Sequence, residues 1–230
     1  MPNRKVIKAA EEMRRKMRPQ AKIAYREHGA QARALIRQLA GPTQEGHDRA
    51  FDLLSSMGEF VVTELLEALD DMMLDPIAAD EIVSLLGTTG DERAQEPIWQ
   101  FLQNQCNPDR ICTAAMSLAG LGDDRALPYL RRSMEADDED LISDAVAGMI
   151  MVGQMEDIAL LRQVHRHHHA NREIRFGVAN AILTIAGEAD QATFNRTLDD
   201  IQASFADRDL WDDIWAILES EFGNKRHPIH

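Results

Sequence analysis

Apolar residues recur along this chain at spacings of three and four, and the recurrence itself repeats about every 32 residues. The repeat is clearest around five glycines, Gly58, Gly90, Gly122, Gly153 and Gly187, separated by 32, 32, 31 and 34 residues. Four positions before them stand Leu54, Leu86, Leu118, Met149 and Leu183, and eight before stand Ala50, Ile82, Ala114, Ala145 and Ala179. Eight positions after them come Leu66, Ile98, Leu130 and Leu161, with Phe194 one residue early in the fifth copy. Such spacing places each set on one side of a helix, so every unit is predicted to hold two amphipathic helices. Self-similarity at a fixed period of this length is the mark of a repeat architecture.

The residues between the helices say how each unit turns. A helix commonly closes on a residue at positive φ, where glycine carries no Cβ penalty. Asp91 and Asp123 follow their glycines and are suited to accept the first N–H groups of the next helix. A second, weaker turn is predicted in "MLDPIAAD", "NQCNPDRI", "ADDEDLIS" and "HHHANREIR", where Asp, Asn and Pro supply a stop and a new cap. The ends read as atypical units. Residues 1–28 form a basic N-terminal capping helix or arm, Gly29 opens an array spanning 29–223, and "DRDLWDDIWAILESEF" is its last helix. Residues 224–230 are a tail.

The stretches "DRICTAAMSLAGLGDDRALPYLRRSM" and "REIRFGVANAILTIAGEAD" carry Arg110 and Arg175 twelve residues before their glycines, then an alanine-rich stripe, then the glycine corner. This pattern resembles the short HEAT-like repeats of the phycobilisome-lyase type, over roughly residues 46–200. The resemblance implies an all-α, right-handed α-solenoid of about five to six HEAT-like helical hairpins. Tetratricopeptide and ankyrin repeats have similar periods, but their signatures are absent here.

Composition agrees with helix and narrows the partners. The 230 residues are 44% apolar and 5% aromatic, with a formal charge of −14. That average conceals an asymmetry. Residues 1–40 hold eleven Lys or Arg against three Glu, net +8, which leaves 36 acidic and 14 basic side chains, net −22, for the rest. The body is therefore expected to repel nucleic acid, which excludes a basic groove of the HEAT-like DNA glycosylase kind. Two cysteines, Cys106 and Cys112, are too few for a disulfide framework and read as thiols in a reducing compartment. No apolar run marks a signal sequence or a transmembrane segment, so the expected location is cytoplasmic.

Candidate chemistry is sparse. His165, His167, His168 and His169 crowd "VHRHHHANR" and are the weak candidates for a metal site. Against it, His165 aligns with Leu102 and Met134 and so leans on the core, and the other three cannot all converge on one ion from a tight turn. No His-Glu dipeptide follows a repeat arginine, so the di-iron site of deoxyhypusine hydroxylase, another HEAT-class protein, is absent. Nothing marks a cofactor site. The family namesake implies a bilin (tetrapyrrole) lyase or chaperone, with Cys106 and Cys112 the conceivable handles. Arg110 and Arg175 either line an anion-binding groove or tie adjacent units in a ladder, and the ladder is favoured. Met72, Met73, Met149, Met151 and Met155 read mostly as core filler, the alternative being an adaptable binding surface.

The two ends carry opposite charge. "RKVIKAAEEMRRKMR", residues 4–18, makes a basic amphipathic helix whose Arg14, Arg15, Lys16 and Arg18 suit an acidic partner, RNA or an anionic surface. Residues 188–222 carry ten acidic side chains and two arginines around Trp211 and Trp215, which read as a capping core or a partner's hot spot. Head-to-tail self-association follows as a possibility of this arrangement. The leading expectation is a non-catalytic scaffold or adaptor that binds a protein partner, basic in character, on the inner face of the array. The alternatives are the bilin role and nucleic-acid binding through the basic N-terminal helix.

Overall fold

The computed structural model describes residues 19–39, 41, 43–70, 75–205, 210–214 and 216. The described residues form helices and turns, without a strand, in an all-α helical-repeat architecture of the α-solenoid class. None of the described helices is long and apolar enough to cross a membrane. The chain divides into two units between Ala126 and Leu127.

The first unit holds α1 (Pro19–Leu39), α2 (Gln44–Met57), α3 (Val62–Leu69), α4 (Pro76–Thr88), α5 (Gln95–Gln103) and α6 (Pro108–Gly120). In it α4 and α6 pack side by side, α3 lies against α4, α5 against α6, and α1 against α2. The second unit holds α7 (Leu127–Ser133), α8 (Glu139–Val152), α9 (Ile158–His167), α10 (Arg172–Ala189) and α11 (Gln191–Ser204). There α8 and α10 pack side by side, with α7 against α8 and with α9 and α11 against α10.

The repeat stripe is the core. Ala50, Ile82, Ala114, Ala145 and Ala179 are fully buried, and so are Leu54, Leu86, Leu118, Met149 and Leu183 to within 1%. On the following helices Ile98, Leu130 and Leu161 are buried, but Leu66 is only half-buried and Leu65 takes its place. The reason lies in the turn. A 3₁₀ segment begins at Gly58 itself and runs to Val61, whereas after Gly90 and Gly122 it begins two residues beyond the glycine. The register of α3 is shifted accordingly.

Gly58, Gly90 and Gly122 adopt φ of 53°, 67° and 69°, as the sequence predicts. Asp91 and Asp123 each accept the backbone N–H two residues on at 3.0 Å, but the elements they start are 3₁₀ turns leading into helix. The other two corners differ from expectation. Gly153 is extended, φ −61°, and is small because Ile185 and the Met149 carbonyl fill the space a Cβ would need. Gly187 lies inside α10, which ends at Ala189, and Asp190 starts α11. Gly29 also lies within a helix, α1, and its missing side chain makes room for the buried Glu64 carboxylate.

The opposite turns are built as the sequence suggests. Asp75, Asn107, Asp138 and Asn171 each cap a helix by accepting two backbone N–H groups, at 2.8–3.4 Å. Pro76 and Pro108 occupy the first helical position, where a missing N–H costs nothing. These four caps fix the phase of α4, α6, α8 and α10, and hence which side chains those helices leave outside the core.

Candidate interaction surface

Counting from each cap, the positions two, six, nine and thirteen residues on lie along one helical stripe. In the first unit they are Ile77, Glu81, Ser84 and Thr88 on α4, and Asp109, Thr113, Met116 and Gly120 on α6. In the second they are Asp140, Asp144, Ala147 and Met151 on α8, and Glu173, Gly177, Asn180 and Thr184 on α10. Not one of these residues is buried. The stripe carries Glu81, Asp109, Asp140, Asp144 and Glu173, and no Lys or Arg at any of its positions. Ile77 is 64% exposed and Met151 45%, so each unit also offers one large apolar side chain within its acidic stripe.

Part of this charge serves the helices themselves. Asp109, Asp140 and Glu173 sit in the first turn, where a carboxylate meets the positive end of the helix dipole at about 0.3–1 kcal/mol each. Glu81 and Asp144 sit a turn deeper, where that effect has faded. Glu81 is half-buried, and burial is the first cause that holds its carboxyl above the usual range, with the Asp80 and Asp48 carboxylates adding to it and His47 opposing. His47 Nε2 stands 3.6 Å from Glu81 Oε1 and its Nδ1 3.5 Å from Asp48 Oδ1.

Arg110 flanks this stripe and is engaged within the unit. Its Nε donates to Asp80 Oδ1 at 2.7 Å, Nη2 approaches the Pro76 carbonyl at 3.4 Å, and the guanidinium lies 5.1 Å from the Phe101 ring centre. It joins α6 to α4 in the manner of a ladder rung. Arg175 is half-buried on α10, close enough to His165 to oppose its protonation. Other ties of the same kind were not legible from the sequence. Arg125 joins its own Asp123 to Glu96 at 2.9 Å, and the Arg33 guanidinium reaches the buried Glu64 at 3.2 Å.

The histidine cluster is dispersed. His165 stacks face to face on Phe205, ring centres 3.5 Å apart. His168 Nδ1 approaches Glu139 Oε1 at 3.3 Å, and Glu139 also accepts from Asn171 Nδ2 at 2.8 Å. The Asn171 and His168 contacts hold the Glu139 carboxyl below its usual range. His167 and His169 are exposed. Among the described residues no three His, Cys, Asp or Glu are placed to hold a metal ion. Cys112 is buried and Cys106 exposed. Trp211 is buried, its indole N–H donating to the Phe205 carbonyl at 2.8 Å. Met149 is core, but Met151 and Met155 are exposed and do not fill it. Arg14, Arg15, Lys16, Arg18, Met72, Met73 and the Trp215 side chain lie outside the described residues.

His165 gives the first measurable expectation. Burial, and then the charge of Arg175, hold its pKa below the ordinary imidazole value. The unfolded chain therefore takes up the proton first, so this contribution to stability is complete above about pH 6.5 and is lost as pH falls through that value toward the folded one. Thermal unfolding followed between pH 7 and pH 5 is expected to show a falling midpoint, and His165→Phe to flatten that limb. An unchanged slope in the variant removes His165 as its source.

The comparisons with known proteins bear on this scaffold. Residues 62–150 match the family model for HEAT repeats. Within the chain, that segment is HEAT-like. No curated protein matches the sequence. Among solved structures, the designed armadillo repeat protein YIII(Dq.V1)4CPAF in complex with peptide (KR)4 is 18% identical, over 81% of this chain and 98% of that chain, with a TM-score of 0.44. The stripe residues of α4, α6 and α8 fall within the HEAT-matched segment, apart from Met151 one residue beyond it, whereas those of α10 lie outside it.

Proposed function

We propose that this protein is a non-catalytic binding module whose exposed stripes take a basic polypeptide. The observation that carries the reading is the stripe composition: carboxylates in both units, no cation at any position, and an exposed Ile77 or Met151 among them. Carboxylates on a body of net charge −22 attract a cationic segment from beyond contact distance, raising its association rate at low salt. The apolar side chains then give the bound segment something to bury, which charge in water alone does not supply. The finer resemblance to phycobilisome-lyase repeats would instead bring a tetrapyrrole, and residues 4–18 would instead bring nucleic acid. Both are readable in one experiment.

A fluorescein-labelled, lysine-rich amphipathic peptide is titrated into the full chain at low and high salt, beside an acidic peptide, a bilin and duplex DNA. The basic peptide is expected to bind alone among the four, and to weaken with salt. Asp140→Lys with Glu173→Lys is expected to weaken it about tenfold, since each reversal exchanges a surface attraction of about 0.2–1 kcal/mol for a repulsion. Equal affinity in the charge-reversed chain, or a preference for bilin or DNA, overturns the reading.

A further inference from the structure

We propose that the exposed stripe of the second unit, on α8 and α10, receives residues 4–18 of a second copy of this chain. The inference rests on the stripe being a surface for basic polypeptide and names one such polypeptide. Charge complementarity is the first argument. Residues 4–18, "RKVIKAAEEMRRKMR", hold seven Lys or Arg against two Glu, net +5, and are the one strongly basic stretch in a chain otherwise net acidic. The second unit presents Asp140, Asp144 and Glu173 on its stripe without a Lys or Arg there.

Apolar pattern is the second argument. Val6, Ile7, Ala10, Met13 and Met17 recur at the three- and four-residue spacing of one helical face. On the stripe of α8, Ala147 and the 45% exposed Met151 follow the two aspartates by the same spacing. A segment with its cations beside an apolar line therefore meets a face with its carboxylates beside one.

Connection supplies the third. α1 is unbroken from Pro19 to Leu39, so residues 4–18 end just before Pro19, which lies ten residues ahead of Gly29, where α1 meets Glu64 in the first unit. Ten helical residues rise about 15 Å. The basic segment thus belongs to the first unit's end of the chain and the most acidic stripe to the second unit, so the contact between copies joins unlike surfaces. Such contacts close into a two-fold dimer where two copies exchange their basic segments, and propagate into rings or open chains where the contact is not returned.

Sedimentation velocity of the full chain tests this across protein concentration at low and high salt. The wild type is expected to associate with concentration at low salt, into dimers or larger species, and to return to monomer at high salt. Asp140→Lys/Asp144→Lys/Glu173→Lys and Arg14→Glu/Arg15→Glu/Lys16→Glu are each expected to stay monomeric alone, and an equimolar mixture of the two to associate again. Circular dichroism confirms that the variants are folded, and Arg14→Gln/Arg15→Gln/Lys16→Gln provides a milder version of the second. A wild type that is monomeric at every concentration, or association that either reversal leaves unchanged, overturns the proposal. If that monomer still binds the lysine-rich peptide, the stripe remains a binding surface and only its occupant was wrong; loss of both sinks both.

Discussion

Gly87→Val is expected to lower the free energy of unfolding by about 3 kcal/mol, the range in which overpacking a closed interior falls. A Cβ on Gly87 would lie 2.6 Å from Ser117 Cα and 2.7 Å from Ser117 Cβ. The obstruction is backbone and cannot rotate away, so α4 and α6 must separate. Separation loosens the fully buried Ile82, Leu86, Ala114 and Leu118 together. Relief from removing a glycine within a helix is about 1 kcal/mol at most and does not offset this. Gly187→Ala provides the contrast, because the nearest atom to its new Cβ is Phe194 Cδ2 at an ordinary 3.5 Å and the change should be neutral or stabilising. Urea titrations of both variants decide the matter. A Gly87→Val midpoint equal to that of wild type would show that α4 and α6 do not approach this closely.

Asp157→Ala is expected to cost about 2–3 kcal/mol. The carboxylate is 3% exposed and accepts from Arg131 Nε at 2.6 Å, from Arg131 Nη2 at 3.2 Å and from the Gln154 N–H at 2.9 Å. Removing one partner of a buried pair costs about 3–5 kcal/mol, and less here because Arg131 is 35% exposed and keeps the outlying Glu156. Asp157→Asn retains an acceptor for the Gln154 N–H and should lose about 1 kcal/mol. Differential scanning calorimetry on the pair separates the charge from the cap. Equal losses in the two variants would mean that the cap adds nothing beyond the ion pair, and an Asp157→Asn variant as stable as wild type would mean that the ion pair contributes nothing.

Much of this architecture is legible because particular side chains perform local chemistry. Asp75, Asn107, Asp138 and Asn171 cap helices whatever surrounds them, and Gly90 and Gly122 are required by a backbone angle, so both kinds of turn can be read one residue at a time. Gly153 and Gly187 share the spacing without sharing the cause. One answers to Ile185 across a helix interface and the other lies in a helix that runs three residues longer, and neither fact is local. The stripe was missed for a different reason. Its positions are outside the core and mostly polar or small, so a reading led by hydrophobic spacing stops at Arg110 and Arg175 and takes Met151 singly, without the carboxylates that share its stripe. Counting from the caps would have found it, since the cap fixes the phase of every residue that follows. The burial of Glu64 beside Gly29 has no counterpart in the repeat and left no signal.

The corner at Asp123 closes upon itself: the aspartate accepts the Arg125 backbone N–H and receives its guanidinium at 2.7–3.0 Å, and the Asp91 corner does the same with Arg93. Each bend thus brings its own counter-ion within three consecutive residues, and Arg125 extends its bend to Glu96. For a gene, that makes the stretch between two such bends an interchangeable cassette. Duplication or loss of that one cassette leaves a finished joint on either side, so the array can lengthen or shorten at this place with these two bends intact.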